Sequence, residues 1–525
     1  MPKKRCRSGC ITCRIRRIKC DEGKPSCLRC TSTGRKCDGY EIKIAMAKNP
    51  QLKLHQLASR STISQAPGSL AMDCELRALQ HFRRRTAPAL SASFDCDFWN
   101  TVVLQVSATQ DSIRSAIVAL SCLHESFEKG HGNIDPTSNV DSNRVLALQQ
   151  YNKAIHQTAQ ILDLQDATSC RVALMSCLLF ICLELIQDNY TFSINHLVGG
   201  LRMLLYCQNA AIRVPSQPSV SLLYDNLKNF FGRIVVQTMF MADTHFDVRV
   251  IPKHFKEDMR TSLASVTEAR DMLDAIFLSV YPFLHLVKKE PNHGMGKVYQ
   301  QTLLNRLGAW YSLFRKFEGE GGLKLTAKEI TGIRLLEIHY NCLSIMIDTS
   351  LDASPCFLDT PAPSFLHVVT LVETLLDQQT KFPSTLDSAL LPRLPHYSFD
   401  LGVIGPLFYI AVKCWNRVLR QKVISLLQHP NIPHREGIWK ASMTVIMAQQ
   451  IIKVEEEVIR SASTASTKGV EAGASNDTGT FRPDTLKEKV WFDFLRPKND
   501  AKQLKIVVGM KREMPKERRE EVITW

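Results

Sequence analysis

Six cysteines, Cys10, Cys13, Cys20, Cys27, Cys30 and Cys37, repeat the spacing C-x2-C-x6-C twice, with six residues between the halves. Thiols clustered this closely in a reducing compartment bind metal rather than pair as disulfides. Zinc takes four tetrahedral ligands, so each half, with three sulfurs, is one ligand short. Two ions need eight ligands and six sulfurs are present, so the count closes only when two thiolates each serve both ions. One ion would leave two cysteines spare and the repeat without a reason. The first histidine is His55, outside the array, which excludes RING-type and mixed cysteine and histidine fingers. Cys6 lies outside the repeat and reads as a spare thiol.

The charge around the array says what it meets. The spacer Arg14-Ile15-Arg16-Arg17-Ile18-Lys19 carries four cations in six positions, and residues 1–37 hold 12 Lys and Arg against Asp21 and Glu22. Six thiolates and two zinc ions together subtract little from that excess, so the module stays strongly positive and suits a polyanion. Were the spacer a short helix, Ile15 and Ile18 would share an inward face against the metal, with Arg14 and Arg17 on another. An arginine fork meets guanine O6 and N7 together in the major groove.

Residues 10–37 resemble, without a gap, the fungal binuclear zinc cluster, the Zn2Cys6 DNA-binding domain. The resemblance implies two zinc ions per chain, bridged by the first cysteine of each half, Cys10 and Cys27. One ion would then be held by Cys10, Cys13, Cys20 and Cys27, and the other by Cys10, Cys27, Cys30 and Cys37. Pro25 sits where the family turns between halves. The implied function is a zinc-dependent transcription factor regulating RNA polymerase II genes, which reads CGG-type triplets with Arg17 on base edges and Arg16 sharing or flanking it. Arg14, Lys19, Arg35 and Lys36 are then phosphate contacts, which position the module without reading sequence. The implied partners are double-stranded DNA and the transcription machinery or co-regulators. The implied address is the nucleus, with Pro2-Lys3-Lys4-Arg5 as an import patch.

The rest of the 525 residues must carry and control this module. The net charge of +15 is concentrated at the first 37 residues, as are seven of the 17 cysteines, and the remainder is ordinarily globular. The expected fold is mainly α: a zinc cluster over 1–40, a linker over 41–71, and a large all-α helical array over 72–460. A disordered linker over 461–482 follows, then a minor C-terminal β-hairpin and basic tail over 483–525. No heptads follow the cluster, so a homodimer is expected only through other regions. Apolar positions such as Ile113, Ala116, Ile117, Leu120, Leu123 and Phe127 follow the helical period. Further helical stretches read at 168–187, 193–207, 219–243, 266–287, 298–317, 326–349, 364–380, 402–427 and 437–460.

Val490 to Leu495 and Gln503 to Val508 flank a turn-rich Arg496-Pro-Lys-Asn-Asp500 and read as the hairpin. The charged run from Lys511 to Glu521 reads as a solvated helix or tail. Glu75 to Leu90, with Phe94, Phe98, Trp99 and the Ala119 to Glu125 run, resembles the start of the fungal-specific transcription factor domain, implying a regulatory body.

Residues 1–20 lack an apolar core for a secretory signal, and Val172 to Ile186 is too short to span a bilayer, so a soluble intracellular protein without a membrane partner is expected. No catalytic constellation is found. His124-Glu125 opens like HExxH, but position 128 is Glu128. Gly294 to Lys297 lacks phosphate-loop spacing, and Asp243 with Asp247 reads as solvated caps. An enzyme is not expected.

Overall fold

The structure is a computed structural model that describes residues 12, 13, 18, 20, 21, 27–33, 37, 69–94, 97–129, 142–163, 166–209, 218–241, 261–289, 294–321, 325–351, 362–377, 396–414, 416–467, 491–495, 503–509 and 519–524. The chain divides into two units, Met1–Ala71 and Met72–Trp525. In the first, the short helix α1 (Leu28–Thr31) starts directly after Cys27.

The second unit is built from amphipathic and wholly apolar helices. The division at residue 72 falls inside α2 (Ser69–His81), so residues 69–71 of the expected linker are helical; a π-helical turn over Phe82–Thr86 and α3 (Ala87–Ser91) follow. A second π-helical turn, Phe98–Val102, leads into α4 (Val103–Ser107). Four longer helices follow: α5 (Asp111–Lys129), α6 (Ser142–Ile161), α7 (Ala167–Ile186) and α8 (Tyr190–Asn209). Asp166 caps α7 by accepting from the amides of Thr168 and Ser169. α7 is apolar on all sides and packs against α5, α6 and α8. A helix greasy all round belongs in an interior. It is long and apolar enough to cross a membrane, yet nearly all of it is buried within this unit.

Five further helices follow in the chain: α9 (Pro218–Met239), α10 (Val266–Lys289), α11 (Gly296–Gly321), α12 (Ala327–Asp348) and α13 (Ala362–Asp377). α12 opens on a capping box: Thr326 accepts from the Glu329 amide, and the Glu329 carboxylate accepts from the Thr326 amide. One apolar cluster runs from Ala78 to Ile451 through these helices.

The closing part departs most from expectation. The stretch 402–427 divides into α14 (Ile404–Lys413) and α15 (Arg417–Leu427). Asn416 caps α15 through the Leu419 amide, while the Arg420 guanidinium donates to the Cys414 carbonyl and pairs with Glu455 at 2.7 Å. A miniature sheet flanks these helices. β1 (Tyr397–Ser398) lies parallel to β2 (Arg435–Glu436), which turns back antiparallel to β3 (Trp439–Lys440). The last helix, α16, spans Ala441–Thr467, so residues 461–467 of the expected disordered linker are helical. The C-terminal sheet has three strands, β4 (Trp491–Leu495), β5 (Gln503–Gly509) and β6 (Arg519–Thr524), in one antiparallel meander. The expected hairpin is its first half. β6 takes the last three residues of the charged run read as helix or tail, Arg519 to Glu521, with Val522 to Thr524, pairing with the edge of β5 that β4 leaves open; residues 511–518 lie outside the described residues. Asp243 and Asp247 lie outside the described residues.

Two polar residues tie the miniature sheet to distant helices. Asp188, at the α7 to α8 corner with φ of 62°, is the common partner of Arg435 and of Lys440 Nζ at 2.7 Å. Gln237 on α9 donates to the Phe399 carbonyl at 2.8 Å and accepts from the Ile438 amide at 2.9 Å. Its backbone carbonyl accepts from Trp439 Nε1.

Glu436, fully buried, accepts from the Ile404 amide at 2.7 Å at the start of α14. Burial pushes its carboxyl up to about 7, against the pull of those helix amides. An unfolded glutamate titrates near 4.3, so the stability from this group is full below that pH and is lost as pH rises through about 7. Glu436→Gln, always neutral, should therefore gain on the wild type by roughly 2 kcal/mol between pH 5 and pH 8. Denaturant unfolding at both pH values checks this, and a difference that does not move with pH refutes it.

Candidate metal centre and nucleic-acid interface

In a module this small, sulfur takes the place of a hydrocarbon core. Cys13, Cys20, Cys27 and Cys30 are buried and Cys37 is half-buried; together they form the apolar cluster of this unit. Cys13 Sγ lies 3.7 Å from Cys27 Sγ and 3.8 Å from Cys30 Sγ. These distances are far beyond the roughly 2.0 Å of a disulfide bond. Two sulfurs about 2.3 Å from one tetrahedral zinc stand about 3.8 Å apart, so the Cys13 to Cys27 spacing suits two thiolates on one zinc ion. Ligand atoms of Cys13, Cys27 and Cys30 form one group within 4.8 Å, and those of Cys20, Asp21 and Cys27 form another. Cys27 stands in both.

The backbone holds the sulfurs in place. Cys27 starts α1 in an extended conformation, and its carbonyl accepts from the amides of Cys30 and Thr31, which turns Cys30 back toward the cluster. The Cys27 amide donates to Cys37 Sγ at 3.5 Å, closing the second half on itself. Asp21 joins the halves: its two carboxylate oxygens accept from the amides of Leu28 and Arg29, each at 2.9 Å. A carboxylate beside a cysteine looks like a solvated charge in sequence. Its position directly after Cys20 and seven residues before α1 was the available signal.

Ile18 differs from expectation. It is 40% exposed rather than packed on the metal face. Its amide donates to the Cys13 carbonyl at 3.1 Å, a five-residue closure wider than an α-helical turn, so the i, i+3 register does not extend to Ile18. Cys10 and the candidate DNA contacts Arg14, Arg16, Arg17, Lys19, Arg35 and Lys36 lie outside the described residues, as does Pro25.

Fold and site together define a class, a chain that joins a small cysteine-cluster module to a large helical unit. Residues 8–45 match the Fungal Zn(2)-Cys(6) binuclear cluster domain, and residues 77–410 match the Fungal specific transcription factor domain. The chain belongs to the fungal Zn2Cys6 family of transcription regulators, and its cluster domain binds two zinc ions. It is 24% identical, over 91% of both chains, to the aspercryptin biosynthesis cluster-specific transcription regulator atnN of Emericella nidulans. It is 29% identical to the transcription regulator lscL of Purpureocillium lilacinum over 37% of this chain and 48% of that one. A short stretch, 10% of this chain and 12% of the other, is 49% identical to the transcriptional regulatory protein moc3 of Schizosaccharomyces pombe. No solved structure matches the chain.

Proposed function

We propose that this regulator acts in the nucleus on RNA polymerase II genes and reads CGG-type triplets in the major groove through the basic run between Cys13 and Cys20. The observation that carries the reading is Cys27, buried at the start of α1 and common to both groups of metal-ligating side chains. A residue so placed suits a bridging thiolate, with Cys10 as the second bridge. One ion takes Cys13 and Cys20 with the bridges, and the other takes Cys30 and Cys37. This ligand set puts Cys13 and Cys30 on different ions, so their 3.8 Å sulfur separation should lengthen in the zinc-loaded protein, while the Cys13 to Cys27 edge stays near 3.7 Å.

Zinc supplies the rigid frame on which the spacer presents its cations. Arg17 takes base edges with Arg16 beside it, and Arg14, Lys19, Arg35 and Lys36 take phosphates. The further partners are co-regulators or the transcription machinery, and a second copy held by regions other than a coiled coil after the cluster.

Arg17→Ala tests the base reading. A bidentate arginine to guanine contact is worth about 1–3 kcal/mol, so preference for CGG-bearing duplex over scrambled duplex should fall about tenfold or more. Unchanged affinity and preference would remove Arg17 from base recognition. Lys19→Ala should instead weaken both duplexes equally and flatten the salt dependence by about 0.9 in log K per log salt.

A further inference from the structure

The helical unit holds a second cluster of metal-type donors, built from residues far apart in the chain. His81 ends α2, just before the π-helical turn Phe82–Thr86. His124 and Glu128 lie four apart on α5 and so share one face. One donor atom from each of the three lies within 4.8 Å of the other two. π-Helical turns are rare and concentrate at functional sites.

Hydrogen-bond accounting sharpens the picture. The Ser121 hydroxyl has one proton, and it donates that proton to the Ala78 carbonyl at 2.6 Å. Toward His81 Nδ1, 3.2 Å away, the same oxygen offers a lone pair, while Thr86 Oγ1, 3.4 Å from that nitrogen, can donate to it, so either ring nitrogen can carry the hydrogen. His81 Nε2 faces Glu128 Oε2 at 3.2 Å. With the hydrogen on Nδ1, Nε2 offers a lone pair beside a carboxylate oxygen, a pair of donors that one metal ion can bridge. A tetrahedral ion with bonds of about 2.0–2.2 Å sets its nitrogen and oxygen ligands about 3.4 Å apart, close to what is found.

His124 supplies the third donor. Its buried ring is held by Thr86 Oγ1, 3.1 Å from Nδ1. Outer partners that orient a ligating imidazole are a regular feature of metal sites. Arg85 is the opposing feature: its Nε and Nη2 donate to Glu128 Oε1 at 3.2 and 2.8 Å, and its positive charge lowers the affinity for a cation. It occupies Oε1 only and is 64% exposed, which leaves Oε2 to the ion.

We propose that His81, His124 and Glu128 form a binding site for one divalent transition-metal ion in the helical unit, separate in ligand chemistry from the thiolate cluster. Two imidazoles and a carboxylate with an open fourth position suit zinc, and the same set accepts cobalt.

The test uses the full chain with its cluster already filled by zinc, titrated with cobalt(II) alone. One further equivalent should bind, giving weak visible ligand-field bands and no thiolate charge-transfer band. His81→Ala and the nearly isosteric Glu128→Gln should each weaken that binding at least tenfold, with the helical circular dichroism and the two cluster zinc ions retained. No cobalt binding beyond the cluster would leave His81 Nε2 as a plain hydrogen-bond donor to Glu128 and overturn the proposal. Binding that survives both variants, or cobalt that appears only with the thiolate band because it has replaced cluster zinc, overturns it equally.

Discussion

Cys27→Ser is expected to strip both zinc ions from the chain and abolish DNA binding. Cys27 is the residue shared by both groups of metal-ligating side chains, it is fully buried, and its carbonyl and amide organise α1 and Cys37. A serine hydroxyl does not ionise near neutral pH and cannot stand in for a thiolate between two cations. Structural zinc contributes roughly 10–16 kcal/mol to the folding of comparable small modules, far more than a module whose buried cluster, among the described residues, is cysteine sulfur can replace. Elemental analysis should show a loss of two zinc ions per chain relative to the wild type. Cys37→Ser should keep more zinc than Cys27→Ser, and Cys6→Ser, outside the array, should keep both ions. The helical signal of residues 72–467 should be unchanged, since none of those elements belongs to this unit. Two zinc ions retained in Cys27→Ser would refute the shared-sulfur arrangement.

Gly437→Ala is expected to have the largest effect on the helical unit. Gly437 has a φ of 54°, a conformation that costs an L-residue about 1–2 kcal/mol. A Cβ there would overlap Gln237 Oε1 and stand 2.6 Å from its Cδ and Nε2. Gln237 is fully buried and cannot move without releasing the Ile438 amide and the Phe399 carbonyl. Each buried polar group left without a partner costs about 1–3 kcal/mol. Together these give roughly 3–8 kcal/mol, a large part of a typical domain's 5–15. Denaturant unfolding of the full chain measures it. Adding Gln237→Ala removes the overlapping atoms, so the double variant should lose less than the sum of the single losses. Strict additivity would mean that the overlap is not the cause.

The metal module and most helices were legible for different reasons. Thiolate spacing is a chemical count, and six sulfurs for two tetrahedral ions admit few solutions. The helix at 167–186 shows as an apolar run too long for a strand, with Asp166 as its cap, and those at 266–289 and 327–348 show as apolar patterning, the latter behind the cap Thr326. What was missed depends on partners distant in sequence. No proline or glycine marks the break at Cys414; a buried Arg420 paired with Glu455 holds it. The strands β1 to β3 have two residues each and no β pattern of their own, because Gln237 and Asp188 fasten them from elsewhere. The HExxH pattern on α5 fails at Glu128, whereas the imidazole that joins His124 and Glu128, that of His81, comes from another helix.

The fastening of Asp188 to Arg435 and Lys440 bears on how the chain is born. These bonds join residues 247 and 252 positions apart. At about 5–20 residues per second, a ribosome delivers the partners of Asp188 roughly ten to fifty seconds after Asp188 itself. The cysteine module is complete well before then, while the nascent α7 to α8 corner waits with its carboxylate unanswered, a natural stage for chaperone attendance. A transcript stopped just after residue 410 would encode the whole stretch matched by the fungal domain and still lack the latch that shuts it.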